Sequence, residues 1–238
     1  MCINCGCDTT GQPSLHSHDH SHGGDSTLRT LRIEEDLLAK NNRLAATNRN
    51  RFQEYRLLVL NLVSSPGSGK TSILERTLSE CRDRFSFAVI EGDQQTANDA
   101  ERIAATGVPV RQINTGSGCH LDAHMIGHGV EEFDLQATDI LMIENVGNLV
   151  CPASFDLGED HKVAVLSVTE GEDKPLKYPV MFRSADLVLI TKSDLLAVLD
   201  DFSPERAESC LRNLASSAPL YELSSKNGAG LDTWLQWL

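Results

Sequence analysis

Ser64-Ser65-Pro66-Gly67-Ser68-Gly69-Lys70-Thr71 is the stretch that decides the fold. An apolar run, Leu57-Leu58-Val59-Leu60-Asn61-Leu62-Val63, precedes it and reads as a buried strand. Ser72-Ile73-Leu74-Glu75-Arg76-Thr77-Leu78 follows it and reads as a helix. Strand, glycine-rich turn, then Gly-Lys-Thr opening a helix is the setting a phosphate-binding loop needs. The glycines let backbone N–H groups turn onto phosphate oxygens, and the helix N-terminus adds its positive end. Lys70 would reach the β- and γ-phosphates and Thr71 would offer its hydroxyl to Mg²⁺. Gly67, Ser68, Gly69, Lys70, Thr71 and Ser72 are thus the expected nucleotide contacts of this loop. One departure is plain: the usual pattern has glycine six residues before the lysine, where this chain has Ser64.

Outward from the loop, strand-like and helix-like stretches alternate. Strands are expected at 57–63, 87–90, 108–113, 140–144, 163–168, 187–190 and 220–223, with helices such as 97–105 and 204–215 between them. Such alternation implies crossover connections and a mainly parallel sheet covered by helices on both faces, an α/β P-loop NTPase. Ligands then gather at the C-terminal edge of the strands. Motifs fall there. Glu91-Gly92-Asp93 comes after the second strand, and Asp93 would hold a Mg²⁺-bound water or align the attacking water. Glu144-Asn145-Val146-Gly147 comes after the fourth: Glu144 would accept from metal-bound water, and Gly147 would give its N–H to a γ-phosphate. That loop is a candidate switch, ordered by triphosphate and relaxed after hydrolysis. Thr191-Lys192-Ser193-Asp194 comes after the sixth. Asp194 would accept from guanine N1–H and the 2-amino group together, and Lys192 would lie along base and ribose. This resembles the guanine-specificity motif Asn-Lys-x-Asp, with Thr191 in place of asparagine. Ser224-Ser225-Lys226 after the last strand resembles the second guanine loop, so Ser225 and Lys226 join the expected contacts. In this order the motifs favour GTP over ATP.

The 238 residues suffice for one domain of about 200 residues plus an appendage. A net charge of −13 argues against nucleic acid or an anionic membrane as the main partner. No run approaches the ~20 apolar residues that span a bilayer, and the N-terminus has no apolar signal core, so a cytoplasmic protein is expected. Three of the seven cysteines, Cys2, Cys5 and Cys7, crowd the first seven residues, which suits metal ligation better than a disulfide framework. Their thiolates suit square-planar Ni(II) or tetrahedral Zn(II). His16, His18, His20 and His22 alternate with polar residues just beyond. Residues 1–27 therefore read as a disordered metal-binding tail, 28–56 as a helical lead-in of one or two helices, and 57–238 as the nucleotide domain.

Taken together these residues carry a resemblance. Cys2-x-x-Cys5-Gly6-Cys7, the loop at 64–71, Glu91-Gly92-Asp93, Thr115-Gly116-x-x-Cys119-His120-Leu121, Glu144-Asn145-Val146-Gly147-Asn148-Leu149-Val150-Cys151-Pro152 and Thr169-Glu170-Gly171-Glu172-Asp173-Lys174-Pro175 are similar to the HypB family over nearly the whole chain. These are nickel-incorporation GTPases of [NiFe] hydrogenase maturation. The resemblance implies a second metal site for nickel or zinc at Cys119, His120 and Cys151, lying at a nucleotide-dependent homodimer interface. It implies as partners a HypA-type nickel metallochaperone and the hydrogenase large subunit or its maturation complex. Thiolate, imidazole and thiolate suit Ni(II) or Zn(II) on ligand type. His120, His124 and His128 fall on one helical face by spacing, but Gly127 and Gly129 make a poor rigid scaffold, so the last two are expected behind the ligands or facing solvent.

Cys151 lies seven residues beyond Glu144, in the loop that senses the γ-phosphate. A triphosphate that draws in this loop moves a metal ligand, so GTP and metal affinities are expected to be coupled in both directions. No glutamine follows Glu144-Asn145-Val146-Gly147 and no arginine finger is assignable. Catalysis would rest on Lys70, Mg²⁺, Asp93 and a lysine such as Lys174 donated across the dimer, with slow turnover. The competing readings are a nickel or zinc storage protein with a vestigial nucleotide site, and an ATPase of the same architecture.

Overall fold

The computed structural model describes residues 24–94 and 97–238, with side chains from residue 35 onward. The expectations for Cys2, Cys5, Cys7 and the histidine tract lie outside the described residues. Seven strands form one sheet: β1 (Leu58–Ser64), β2 (Phe87–Asp93), β3 (Val110–Asn114), β4 (Ile140–Glu144), β5 (His161–Ser167), β6 (Leu187–Thr191) and β7 (Leu220–Glu222). Their order is β3-β2-β4-β1-β5-β6-β7, and every neighbouring pair is parallel. The helices are α1 (Gly24–Glu54), α2 (Lys70–Cys81), α3 (Asn98–Ala104), α4 (Ala123–Gly129), α5 (Lys174–Lys177), α6 (Pro179–Ser184), α7 (Pro204–Asn213) and α8 (Leu231–Trp237).

The strands read as near-continuous apolar runs because both faces of the sheet are covered. In β1, Leu60 and Leu62 pack with Ile73, Leu74 and Leu78 of α2 and Trp234 of α8. Val59 turns to the other face, against Phe52 of α1 and Ile126 of α4. Val63 lies on that same face, against Phe182 of α6 and Leu211 of α7. Asn61 shares this second face and is fully buried in the middle of the strand.

Most element ends fall within one or two residues of expectation, and two boundaries differ by more. β2 runs on through Asp93, so Glu91-Gly92-Asp93 is the end of the strand and does not follow it. Pairing explains the extension: Glu91 is in register with Glu144, and Asp93 with Asn114. The lead-in is one helix of 31 residues that starts at Gly24, inside the stretch expected as tail. No proline and no further glycine interrupts it. Its C-terminal half is anchored, because Asn48 Nδ2 donates to Ala123 O (2.8 Å) and Leu157 O (3.0 Å). Asn41 also accepts from Ala123 N (2.9 Å). Among the described residues no helix is long and apolar enough to cross a membrane.

Candidate nucleotide and metal site

β1 delivers the phosphate loop to the C-terminal edge of the sheet, and α2 starts at Lys70. Gly67 (φ +72°) and Gly69 (φ +96°) take left-handed backbone conformations, which a side chain resists. Ser64, the departure from the usual pattern, has a use here: its buried Oγ accepts from Lys70 Nζ at 2.9 Å. Burial holds the Lys70 ammonium below the usual lysine range, opposed by the charges of Glu144, Asp99, Glu170 and Glu91. Lys174, expected from across a dimer, reaches the loop of its own chain, where its Nζ donates to Ser65 Oγ at 3.0 Å. The Ser72 hydroxyl accepts from Arg102 of α3 (3.1 Å), so its side chain faces that helix.

The residues expected on the guanine side lie on the same edge. The Thr191 hydroxyl, in the asparagine place, donates to Ser68 O at 2.6 Å and so ties the base loop to the phosphate loop. Lys192 adopts φ +58° and its Nζ donates to Gly67 O (2.8 Å). Asp194 accepts from the Ser224 hydroxyl at 2.6 Å, which joins the loops after β6 and β7. Ser224 also accepts from Lys226 N (3.2 Å) and turns Ser225 and Lys226 along this edge.

Opposite them stand the carboxylates. Thr71 Oγ1 donates to Glu144 Oε1 at 2.7 Å. Burial pushes the Glu144 carboxyl up to about 7, with Lys70 and the Thr71 hydroxyl pulling the other way. Glu91, its register partner, is pushed up to about 8, first by burial and then by the charge of Glu144. The pair is asymmetric for a physical reason: Glu144 has the ammonium and the hydroxyl beside it and ionises first, and Glu91 then meets its charge. Oε2 of each is buried with no hydrogen-bond partner among the described residues. The unpartnered Glu144 oxygen beside the Thr71 hydroxyl is the start of a donor set that fits Mg²⁺, whereas Glu91 behind it is held in its protonated form. Asp93 sits half-buried at the end of the same strand. Glu91 was in the motif read from sequence but was given no role. Only the cross-strand register reveals that it faces Glu144.

The metal residues converge. Cys119 Sγ and Cys151 Sγ are 2.7 Å apart, Cys119 Sγ and His120 Nδ1 are 3.6 Å apart, and all three ligand atoms lie within 4.8 Å of one another. Burial lowers the His120 pKa against the opposing charge of Asp122, which keeps the imidazole neutral and ready to ligate. Phe155 packs on its ring at 3.9 Å between centroids. This donor set fits Ni(II) or Zn(II). His120 itself precedes α4, so it does not share a helical face with His124 and His128.

Side chains missed in the sequence join the two halves. Asn145 Oδ1 accepts from Leu121 N (3.1 Å) and Val146 N (3.0 Å), while its Nδ2 donates to Asn61 Oδ1 (3.2 Å). Asn61 in turn donates to Glu159 Oε1 (3.0 Å). Asn148 Nδ2 donates to Cys119 O at 3.1 Å. Lys162, buried on β5, donates to Pro152 O (3.3 Å), next to Cys151. Gly147 presses on the phosphate loop so closely that a Cβ there would lie 2.9 Å from Pro66 Cα. The loop after β4 therefore touches the phosphate loop at Gly147 and the metal loop at Asn145 and Asn148. An asparagine inside the apolar run of β1 was the one sequence sign of this network.

Comparison with known proteins agrees with this geometry. A family model for the CobW/HypB/UreG nucleotide-binding domain matches residues 58–222. Hydrogenase maturation factor HypB of Azotobacter vinelandii is 57% identical over 232 residues, covering 96% of this chain and 76% of the relative. The Escherichia coli K12 factor of the same name is 57% identical over 224 residues, covering 94% and 77%. The crystal structure of HypB from Helicobacter pylori in complex with nickel superposes with a TM-score of 0.79 at 44% identity, covering 83% of this chain and 93% of that one.

Proposed function

The chain belongs to the HypB proteins of the CobW/HypB/UreG nucleotide-binding family, and from that premise we propose a GTP-driven nickel metallochaperone for [NiFe] hydrogenase maturation. The observation that carries this reading is the grip of Asn145 and Asn148, in the loop after β4, on the backbone of the metal loop at Leu121 and Cys119.

Gly67, Ser68, Gly69, Lys70, Thr71 and Ser72 cradle the phosphates, and Gly147 gives its N–H to the γ-phosphate. Asp194, Lys192, Ser225 and Lys226 receive guanine. Thr71, Glu144 and Asp93 hold Mg²⁺, which when bound neutralises charge on the β- and γ-oxygens. Lys70 steadies the same oxygens, and Asp93 orients the attacking water. Hydrolysis is slow because no glutamine follows Glu144-Asn145-Val146-Gly147 and no arginine finger is assignable. Nickel, the cargo, is held by Cys119, His120 and Cys151. Triphosphate repositions Gly147 beside the phosphate loop, and the shift passes through Asn145 and Asn148 to the metal loop. A dimer formed on GTP brings two metal loops together, in the cytoplasm. A HypA-type metallochaperone and the hydrogenase large subunit or its maturation complex are the expected partners.

Nickel titration of the reduced protein with GDP and with a non-hydrolysable GTP analogue tests this, with mass measured alongside. One class of sites shifting with nucleotide, together with a change to dimer mass, is expected. Equal nickel affinities in the two nucleotide states would overturn the coupling and favour a storage role.

A further inference from the structure

One buried ion pair takes no part in the nucleotide site. Lys162, the second residue of β5, is 8% exposed, and Glu159, two residues before that strand, is 9% exposed. Lys162 Nζ lies 3.8 Å from Glu159 Oε1. A buried ion pair adds little to stability over apolar side chains of the same volume, so stability is a weak account of this one. Its contacts give a better one.

The ammonium reaches the turn that carries Cys151. Lys162 Nζ donates to Pro152 O (3.3 Å) and Ala153 O (3.5 Å), the two carbonyls that follow the ligand residue. Cys151–Ala153 is a single helical turn. Carbonyls at the end of such a turn lack helical partners and attract positive charge. Leu149 and Ala153 sink into the core beside Val63 and Phe182. Apolar packing of this kind is non-directional and sets the depth of the turn. Hydrogen bonds are directional and set its rotation, and so the way Cys151 faces.

The carboxylate reaches the other metal loop. Glu159 Oε2 accepts from Leu157 N (2.6 Å), and its Oε1 accepts from Asn61 Nδ2 (3.0 Å). Asn61 Oδ1 accepts from Asn145 Nδ2 (3.2 Å), and Asn145 Oδ1 accepts from Leu121 N (3.1 Å), next to His120. Asn61 and Asn145 are fully buried. One polar chain therefore runs through the interior from the Cys151 turn to the Cys119-His120 loop. Its two ends are the two segments that supply the three clustered ligand atoms.

We propose that Lys162 and Glu159 are positioning residues of the metal centre. They hold the two ligand-bearing segments at one separation, so that the cation meets a preformed site, and neither is itself a ligand. The reading that Cys119, His120 and Cys151 hold the cargo is the premise. Partners that orient metal ligands from behind are worth about 10- to 100-fold in metal affinity.

Site-resolved alkylation with N-ethylmaleimide, read by peptide mass spectrometry on the full reduced chain, tests the proposal. Ni(II) and Zn(II) are titrated in separate arms. The midpoint at which Cys119 and Cys151 become protected is recorded, since the thiolate that binds metal is the one that reacts. Reading these two peptides keeps Cys2, Cys5 and Cys7 out of the measurement. Lys162→Met/Glu159→Gln removes both charges at similar volume. In that variant both midpoints rise about tenfold with each metal, while GDP affinity is unchanged. Glu159→Gln keeps the ammonium on its carbonyls, and its midpoints rise less, by severalfold; it carries the test if the double variant fails to bind GDP. Wild-type midpoints in a variant that binds GDP overturn the proposal, whatever the melting temperature. Equal losses of metal and GDP affinity overturn it too, because they mark a general loosening of the sheet. In Cys151→Ala, Cys119 loses its protection. A Cys119 midpoint that ignores this change overturns the metal reading itself, which keeps the two failures distinct.

Discussion

Glu91→Gln should stabilise the nucleotide-free protein, and more so as pH rises. Glu91 is 2% exposed and faces Glu144 across β2 and β4. Its pKa is raised from the ordinary 4.5 to about 8, by burial first and by the charges of Glu144, Asp93 and Asp99 next, with Lys70 opposing. Between pH 4.5 and 8 the folded chain keeps a proton that the unfolded chain has lost. The unfolded state therefore binds fewer protons, and stability falls as pH rises through that window. At about 1.4 kcal/mol for each tenfold change in proton affinity, the loss is about 3 kcal/mol at pH 7 and 4–5 kcal/mol above pH 8. Glutamine has no such ionisation. It leaves amide atoms to satisfy, at a cost of about 1–2 kcal/mol. A net gain of about 2–3 kcal/mol at pH 8.5 and none at pH 5 is expected. Urea unfolding in EDTA, followed by fluorescence of Trp234 and Trp237, measures it. Parallel stability profiles for wild type and variant from pH 5 to 8.5 would refute the assignment of a buried, proton-holding carboxyl.

Three further outcomes follow from the site. Cys151→Ala should leave nickel affinity of the remaining sites blind to nucleotide, which paired titrations with GDP and a GTP analogue would reveal; a response like that of wild type would sink the coupling. Asn148→Ala should keep all three metal ligands and the fold, yet shrink the nucleotide response, since the bond to Cys119 O and the local one from Val150 N are lost; calorimetric nickel titration reads the change. Asp194→Asn keeps an oxygen for the Ser224 hydroxyl but loses the charge that guanine requires. At about 2–3 kcal/mol for charged hydrogen bonds, preference for GDP over ADP should fall roughly 30- to 150-fold in competition binding.

The local parts of this protein were legible in its sequence. The seven strands, the loop at 64–71 and the motifs at the strand ends depend on short-range pattern, and periodicity reports them directly. Cys119, His120 and Cys151 were grouped by family resemblance, and the chain brings their ligand atoms together. What escaped notice depends on contacts between distant segments. The role of Glu91 is set by its alignment with Glu144 and that of Ser64 by the ammonium of Lys70. Asn145 matters because Leu121, 24 residues earlier, needs an acceptor for its N–H. His124 and His128 were judged by the glycines beside them, whereas the rigidity of α4 comes from α1 and from the sheet beneath. The start of α1 was misplaced because a tail and a surface helix share a polar composition.

Asn61 has a consequence for how the chain assembles. Its amide is satisfied only by Glu159 Oε1 and Asn145 Nδ2, and both lie on one face of the sheet. A one-residue slip of β1 would turn that amide to the opposite face, among Ile73, Leu74 and Trp234. There it would be buried without a bond, at a cost of about 1–3 kcal/mol, and Glu159 and Asn145 would each lose a bond as well. Apolar neighbours such as Leu60 and Leu62 pack almost equally well in either alignment, so they discriminate weakly. The amide that braces Asn145 in the finished protein thus also rejects misaligned sheets while the protein folds.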